Sequence, residues 1–217
     1  LSCPAALVRS IVRRLDVLGT APSSLQPSLF ADAPGDDQDD EDDALRVHAW
    51  ADDQAEREEL RVLRGLAEAL PPAGRKLEAV ARLVRRAREP ALVFTTYTDT
   101  LRELRQVLAR HRMVVVHGQQ PTALREAAIE AFTSGDADLL LTTDASAEGL
   151  NLQGRCRLVV HVEVPPSARL LLQRTGRVDR FGQARRVHSV VLASAAVADH
   201  EALDRLAGAQ DVSEGWR

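Results

Sequence analysis

The sequence predicts an α/β fold: a parallel β-sheet flanked by helices, preceded by a helical region that carries an acidic loop. Three observations predict it. From residue 91 onward, short apolar and β-branched runs alternate with segments of helical period, the pattern of strands joined by crossover helices. Before residue 91 the periodicity is helical, interrupted by residues 32–43, which hold eight Asp and Glu and no basic residue. Apolar residues make up 45% of the chain and aromatic residues only 3%, so the core must be built from Leu, Val and Ala.

The elements follow in order. Leu7, Ile11, Val12, Leu15 and Leu18 repeat with a helical period over residues 1–19, with arginines at 9, 13 and 14 on the other face. Residues 20–43 combine Pro22, Pro27, Pro34 and Gly35 with the acidic run, which has too little to bury and reads as a disordered loop. Helical spacing returns over 44–70 and stops at Pro71-Pro72. Residues 75–89 form another helix, with Leu77, Val80, Leu83 and Val84 on one face. Strands are expected at 91–94, 113–116, 138–142, 159–164 and 187–192. Helices are expected through Leu101–Leu108, from Pro121 to Phe132, from about Ser167, and from about Asp199 to Leu206. The expected division is a helical linker region at 1–90 and an α/β lobe at 91–217. In a parallel sheet the functional loops lie beyond the carboxyl ends of the strands, and every candidate residue below falls there.

Composition narrows the function. The 217 residues suffice for one good core with a helical appendage. Cys3 and Cys156 are far apart and fit no metal spacing, so the chain reads as reduced and intracellular, with no metal site. Neither a signal peptide nor an apolar run of membrane-spanning length is present, so no membrane partner is expected. The net charge of −4 is local in origin: without the eight acids of 32–43, 24 acidic residues face 28 Lys and Arg, a balance of about +4. Opening on Leu1 rather than Met, the chain reads as a piece of something longer.

The most informative stretch runs from Gln173 to Gln183, QRTGRVDRFGQ. Arg177 and Arg180 are three residues apart, so on a helix they would share a face. Gly176 and Gly182 allow close backbone approach at either end. Two permanently charged, planar guanidinium groups suit the stabilisation of charge on a transferring phosphoryl group. The plainer reading of such a pair is a solvated basic helix end. The complete string, however, resembles the last helicase motif of the superfamily-two DNA translocases in its Swi/Snf-type form, and the bacterial branch containing the RNA-polymerase-associated ATPase in particular.

The resemblance implies a RecA-like lobe in which Arg177 and Arg180 are arginine fingers reaching across a cleft to ATP. It implies that Gln173 senses nucleotide or links it to DNA, while Arg174 is open to a structural ion pair instead. A second stretch, TTDASAEGLNLQ from Thr142 to Gln153, resembles the family motif that touches both DNA and nucleotide. There Thr142 and Thr143 would face a DNA phosphate, and Glu148, Gly149 and Asn151 would border the nucleotide. VFTTYTDTL, from Val93 to Leu101, resembles another family stretch and implies DNA contacts by Thr95 and Thr96, with helix capping by Thr98 or Asp99 as the plainer reading. His117-Gly118 with Arg125 and Phe132 resembles a turn at which Gly118 lets the DNA backbone approach. Lys76 stands where the family has a lysine before its second lobe, or is simply solvated.

No Gly-x-x-x-x-Gly-Lys-Ser/Thr string occurs, and Asp40-Glu41-Asp42-Asp43 lacks the apolar strand that would make it a magnesium motif. ATP and Mg2+ are therefore expected to be held mainly by a missing N-terminal RecA-like lobe, leaving this chain inactive alone. The implied partners are that lobe, double-stranded DNA and a nucleoprotein client such as RNA polymerase, in a cytoplasmic, nucleoid-associated setting. Two alternatives stand beside this: a DEAD-box-like RNA helicase lobe, and a non-catalytic DNA- or protein-interaction fragment.

Overall fold

The computed structural model describes residues 3–19, 53–71, 74–118, 120–147 and 149–214. The acidic stretch 32–43 and the candidate Glu148 lie outside the described residues. Among the described residues three helices come first: α1 (Pro4–Gly19), α2 (Asp53–Glu68) and α3 (Gly74–Ala87). The α/β part follows as β1 (Ala91–Phe94), α4 (Thr98–Val107), β2 (Met113–Val116), α5 (Thr122–Ser134) and β3 (Leu139–Thr142). A short 3-10 turn at Ala145–Ala147 leads to β4 (Leu158–His161), α6 (Ala168–Thr175), β5 (His188–Val191) and α7 (Val197–Glu214).

All five strands are parallel, in the order β2-β3-β1-β4-β5. The central strand β1 lies between β3 and β4, so connections leave it toward both edges. A crevice therefore opens at its carboxyl end, the place where open α/β sheets bind ligands. β4 stops three residues earlier than the apolar run suggests, because the chain turns away toward Pro165-Pro166, although the Val162 amide still donates to the Phe94 carbonyl at 2.9 Å.

Both faces of the sheet are covered, as short parallel strands require. Ala91 and Val93 pack with Leu139, Leu141, Leu158 and Val160 against Leu77, Val80 and Val84 of α3 and Leu101 and Leu104 of α4. Leu92 and Phe94 point the other way and join Leu140, Val159, Phe132, Leu150, Leu152 and Val178. The alternation within β1 is what sends consecutive residues to opposite layers. Each fully buried Leu contributes roughly 1.5–3 kcal/mol.

The helical region is tied on by charge as well as by packing. Arg9 and Arg13 of α1 both reach the carboxylate of Asp99 in α4, at 2.9 and 2.8 Å, and Arg9 also reaches Glu103 at 2.8 Å. Arg14 holds Glu56 of α2 through both carboxylate oxygens, at 2.6 and 3.0 Å, in a buried fork. Lys76 pairs with Asp199 at 2.8 Å, joining the start of α3 to α7. Partial burial opposes the charge on Asp199, but hydrogen bonds from Lys76 and from Ser194 outweigh it and bring the carboxyl down to about 2. In this structure Lys76 is thus an inter-element brace and not a solvated helix start.

Candidate functional site

The site is built on Phe94, the last residue of the central strand, which is fully buried. His161, its parallel partner on β4, stacks on it with ring centroids 5.9 Å apart and planes 8° from parallel. His161 Nε2 meets Ser189 Oγ at 2.9 Å, while Nδ1 has no partner. Burial, reinforced by the nearby charge of Arg174, pushes the imidazole pKa down to about 3, so the ring is neutral.

The Arg174 guanidinium lies over the Phe94 ring at 5.3 Å. Its Nε and Nη2 each donate to one oxygen of Asp144 at 2.6 Å, and Nη2 also donates to Thr96 Oγ1 at 3.2 Å. The residue is only 2% exposed, and Nη1 has no partner. Of the two roles the sequence left open for Arg174, the structure shows the ion pair. That pair links α6 to the loops after β1 and β3, and Asp144 is a residue that sequence reading passed over.

A cleft of about 410 Å³ opens above this floor, lined among others by Asp144, Ala147, Gln173, Arg174 and Arg177. Arg177 and Arg180 do not share a helix face. α6 ends at Thr175, with Gly176 as its C-cap, and the arginines stand on the turns that follow. The Val178 and Asp179 amides still donate to the Thr175 carbonyl, and buried Val178 pins the turn into the core. Arg177 is half-buried at the cleft; Arg180 is exposed, and its Nη1 donates to Asn151 Oδ1. The Leu152 amide donates to the Arg177 carbonyl at 3.0 Å. The two stretches singled out in the sequence are therefore joined to one another, 29 residues apart.

Gly149 and Gly182 adopt φ of 78° and 96°, the left-handed region that side chains resist, and each turns its loop at the edge of this junction. Gln183 Nε2 donates to the carbonyls of Gln153 and Cys156 at 2.9 and 3.0 Å, clamping the end of one stretch to the other. Cys156 is buried and free, and burial outweighs the nearby Arg155 and Arg185 charges to raise its thiol to about 12, which makes it inert.

The residues expected to face nucleic acid divide. Thr95 is fully buried; its hydroxyl donates to Glu163 Oε1 at 2.8 Å, and the Thr96 amide donates to Glu163 Oε2 at 3.0 Å. A carboxylate of the chain thus already engages these two donors. Glu163 was missed in the sequence, although its place just past β4 at the carboxyl end of the sheet was a usable signal. Thr142 and Thr143 are also buried, and both hydroxyls lie within 3.1 Å of Ser146 Oγ. Ser146 in turn bonds the Val116 carbonyl at 3.0 Å. The strand end tucks both hydroxyls inward, where Ser146 satisfies them. Gly118 is exposed on the turn after β2, which the Gln120 side chain holds by accepting from the His117 amide at 3.2 Å.

Among the described residues no group of three or more His, Cys, Asp or Glu could hold a metal, and no helix is long and apolar enough to cross a membrane. What the cleft offers is guanidinium and amide donors, groups suited to phosphate and hydroxyl oxygens.

Comparison with known proteins gives this geometry a family. Residues 75–182 match the family described as the helicase conserved C-terminal domain. The ATP-dependent RNA helicase DBP8 of Scheffersomyces stipitis is 28% identical over 110 residues, which cover 50% of this chain and 24% of that protein. The chain thus spans about a quarter of that curated relative. Among solved structures, the Escherichia coli DEAD-box protein SrmB, crystallised with regulator of ribonuclease activity A, superposes with a TM-score of 0.55 at 24% identity, covering 62% of this chain and 78% of that one. The C-terminal part of the Fun30 ATPase domain superposes with a TM-score of 0.56 at 16% identity, covering 92% of this chain and 65% of that one. Over residues 75–182 this chain is thus a helicase conserved C-terminal domain, built on the RecA-like fold of a helicase C-terminal lobe.

Proposed function

We propose that this lobe supplies the arginine fingers Arg177 and Arg180 to ATP bound by a preceding RecA-like lobe, in a motor driven by ATP hydrolysis along nucleic acid. The observation that carries the reading is the direct bond between Arg180 and Asn151, with Arg177 on the rim of the 410 Å³ cleft. Arg177 and Arg180 would neutralise charge on the transferring phosphoryl group, and Asn151 and Gln173 would meet the ribose and the phosphates. Gly149, and Glu148 beside it, would border the same nucleotide. Mg2+ and the phosphate loop belong to the other lobe in this reading, so the chain alone would not turn over ATP. Residues 91–217 form the lobe, and residues 1–90 lead into it, with α3 already packed on its sheet.

The nucleic acid has two candidate identities. RNA is favoured by the relatives, since DBP8 is named an RNA helicase and SrmB a DEAD-box protein. Duplex DNA, tracked in the Swi/Snf manner, is favoured by VFTTYTDTL and by the Phe-Gly-Gln that follows Arg180. Thr95, Thr96 and Gly118 would meet the backbone in either case, with Glu163 displaced from the two threonines. The test is ATP hydrolysis by the protein with its first lobe, stimulated in parallel by single-stranded RNA, duplex RNA and duplex DNA. Stimulation by duplex DNA alone establishes the translocase reading, and stimulation by RNA alone removes it. Hydrolysis that no nucleic acid affects overturns the motor reading.

A further inference from the structure

The roles above leave unused the surface between α4 and the end of β2. A second cleft, of about 160 Å³, lies there, lined by Thr98, Leu101, Arg102, Arg105, Val115 and His117. Its position follows from the fold. Thr98 opens α4 just beyond β1, and His117 directly follows β2, so the cleft borders the His117-Gly118 turn at the carboxyl end of the sheet. Arg102 and Arg105 are three residues apart on α4 and both exposed, so here the shared helix face is real.

The two arginines of the cleft are only partly matched by charge. Arg102 reaches Asp99 at 2.8 Å, but that one carboxylate is shared with Arg9 and Arg13. Arg105 makes no ion pair among the described residues. Helix-end electrostatics would account for Arg105, which stands in the last turn of α4. They do not account for Arg102 in the middle of the helix, nor for a cleft that both arginines line.

We propose that this cleft is a phosphate-binding site for nucleic acid, in which Arg102 and Arg105 hold the backbone beside the Gly118 turn and lengthen the track that begins at Thr95. The inference rests on the reading of this chain as a nucleic-acid motor lobe. Contact through phosphates makes the site indifferent to sequence and sensitive to salt.

The experiment is a salt titration of binding by the full 217-residue chain to labelled duplex DNA and to labelled single-stranded RNA. The variants are Arg105→Gln, Arg102→Gln with Arg105→Gln, and Arg61→Gln, which removes one exposed charge from α2. On the probe that the chain binds, Arg105→Gln should lower the slope of log affinity against log salt by about one, and the double variant by about two. Arg61→Gln should leave the slope in place. Arg105 carries no ion pair among the described residues, so its single variant tests the site without disturbing the Asp99 cluster. An unchanged slope for Arg105→Gln, or an equal loss with Arg61→Gln, overturns the inference while leaving the motor reading intact. If the unaltered chain binds neither probe even at low salt, the inference falls together with the nucleic-acid part of that reading.

Discussion

Arg174 and Arg177 are three residues apart and do opposite things. Arg174 is sealed under the cleft, with two bonds to Asp144, one to Thr96 and its plane over Phe94. Arg177 and Arg180 lie beyond the helix end, one half-buried at the cleft and the other exposed against Asn151. A buried charge has to be matched where it sits, so Arg174 is committed to structure. A charge at an open rim costs little to hold ready, so Arg177 and Arg180 are free to meet a ligand. Gly176 makes the division possible by ending α6 between the two kinds of arginine.

The sharpest way to break this comparison is to remove a rim arginine. Arg177→Ala or Arg180→Ala should lower ATP turnover of the two-lobed protein by about 10³-fold, with the melting temperature and nucleic-acid affinity nearly unchanged. Equal losses of turnover and affinity would mean that the rim arginines hold nucleic acid instead. The floor should respond in the other currency. Asp144→Ala strands the Arg174 cation in the interior, where losing one partner of a buried pair costs about 3 kcal/mol. Urea unfolding of the chain measures this directly, and a loss under about 1 kcal/mol would show that the pair is not what holds Arg174 in place.

Strands and helices were legible because β1 and β3 are fully buried apolar runs and because α3 and α4 repeat at helical spacing. The two candidate stretches were legible as strings, whereas their mutual contact is visible only in the fold. Three other things were not legible. The helix boundary at Gly176 was hidden because glycine in the αR region neither continues nor stops a helix by itself. The inward turn of Thr142 and Thr143 depends on Ser146, a residue whose small side chain carries no periodic signal. The engagement of Thr95 and Thr96 by Glu163 is a pairing across 68 residues that only the β1–β4 register creates.

The floor also carries a pH dependence. His161 titrates near 3 when folded against 6.5 when free, so between these values the unfolded chain binds more protons than the native one. Stability contributed by neutral His161 is complete above pH 6.5 and is lost as pH falls toward 3, at up to about 1.4 kcal/mol per pH unit. His161→Phe keeps a ring on Phe94 and removes the titration. The stability difference between variant and parent should therefore shift by more than 1 kcal/mol between pH 6 and pH 4, in favour of the variant. Asp199 titrates lower, from 3.8 down to about 2, and its loss on acidification falls mostly below that window. Parallel curves for parent and variant would mean that the ring takes up its proton without unfolding.

The smallest expected effect concerns Glu163, which stands to the threonines as Asp144 stands to Arg174, except that the threonines are neutral donors. Replacing it by Gln keeps one acceptor and removes the charge, so the cost in stability should be about 1 kcal/mol. The consequence for binding has the opposite sign. If Thr95 and Thr96 are part of a phosphate track, the carboxylate competes with the phosphate for the same two donors and repels it. Glu163→Gln should then tighten nucleic-acid binding by several fold at low salt, with the gain shrinking as salt screens the repulsion. A variant that loses stability and gains no affinity would make Glu163 a loop brace only, and would move the nucleic acid away from Thr95 toward the Arg102–Arg105 cleft.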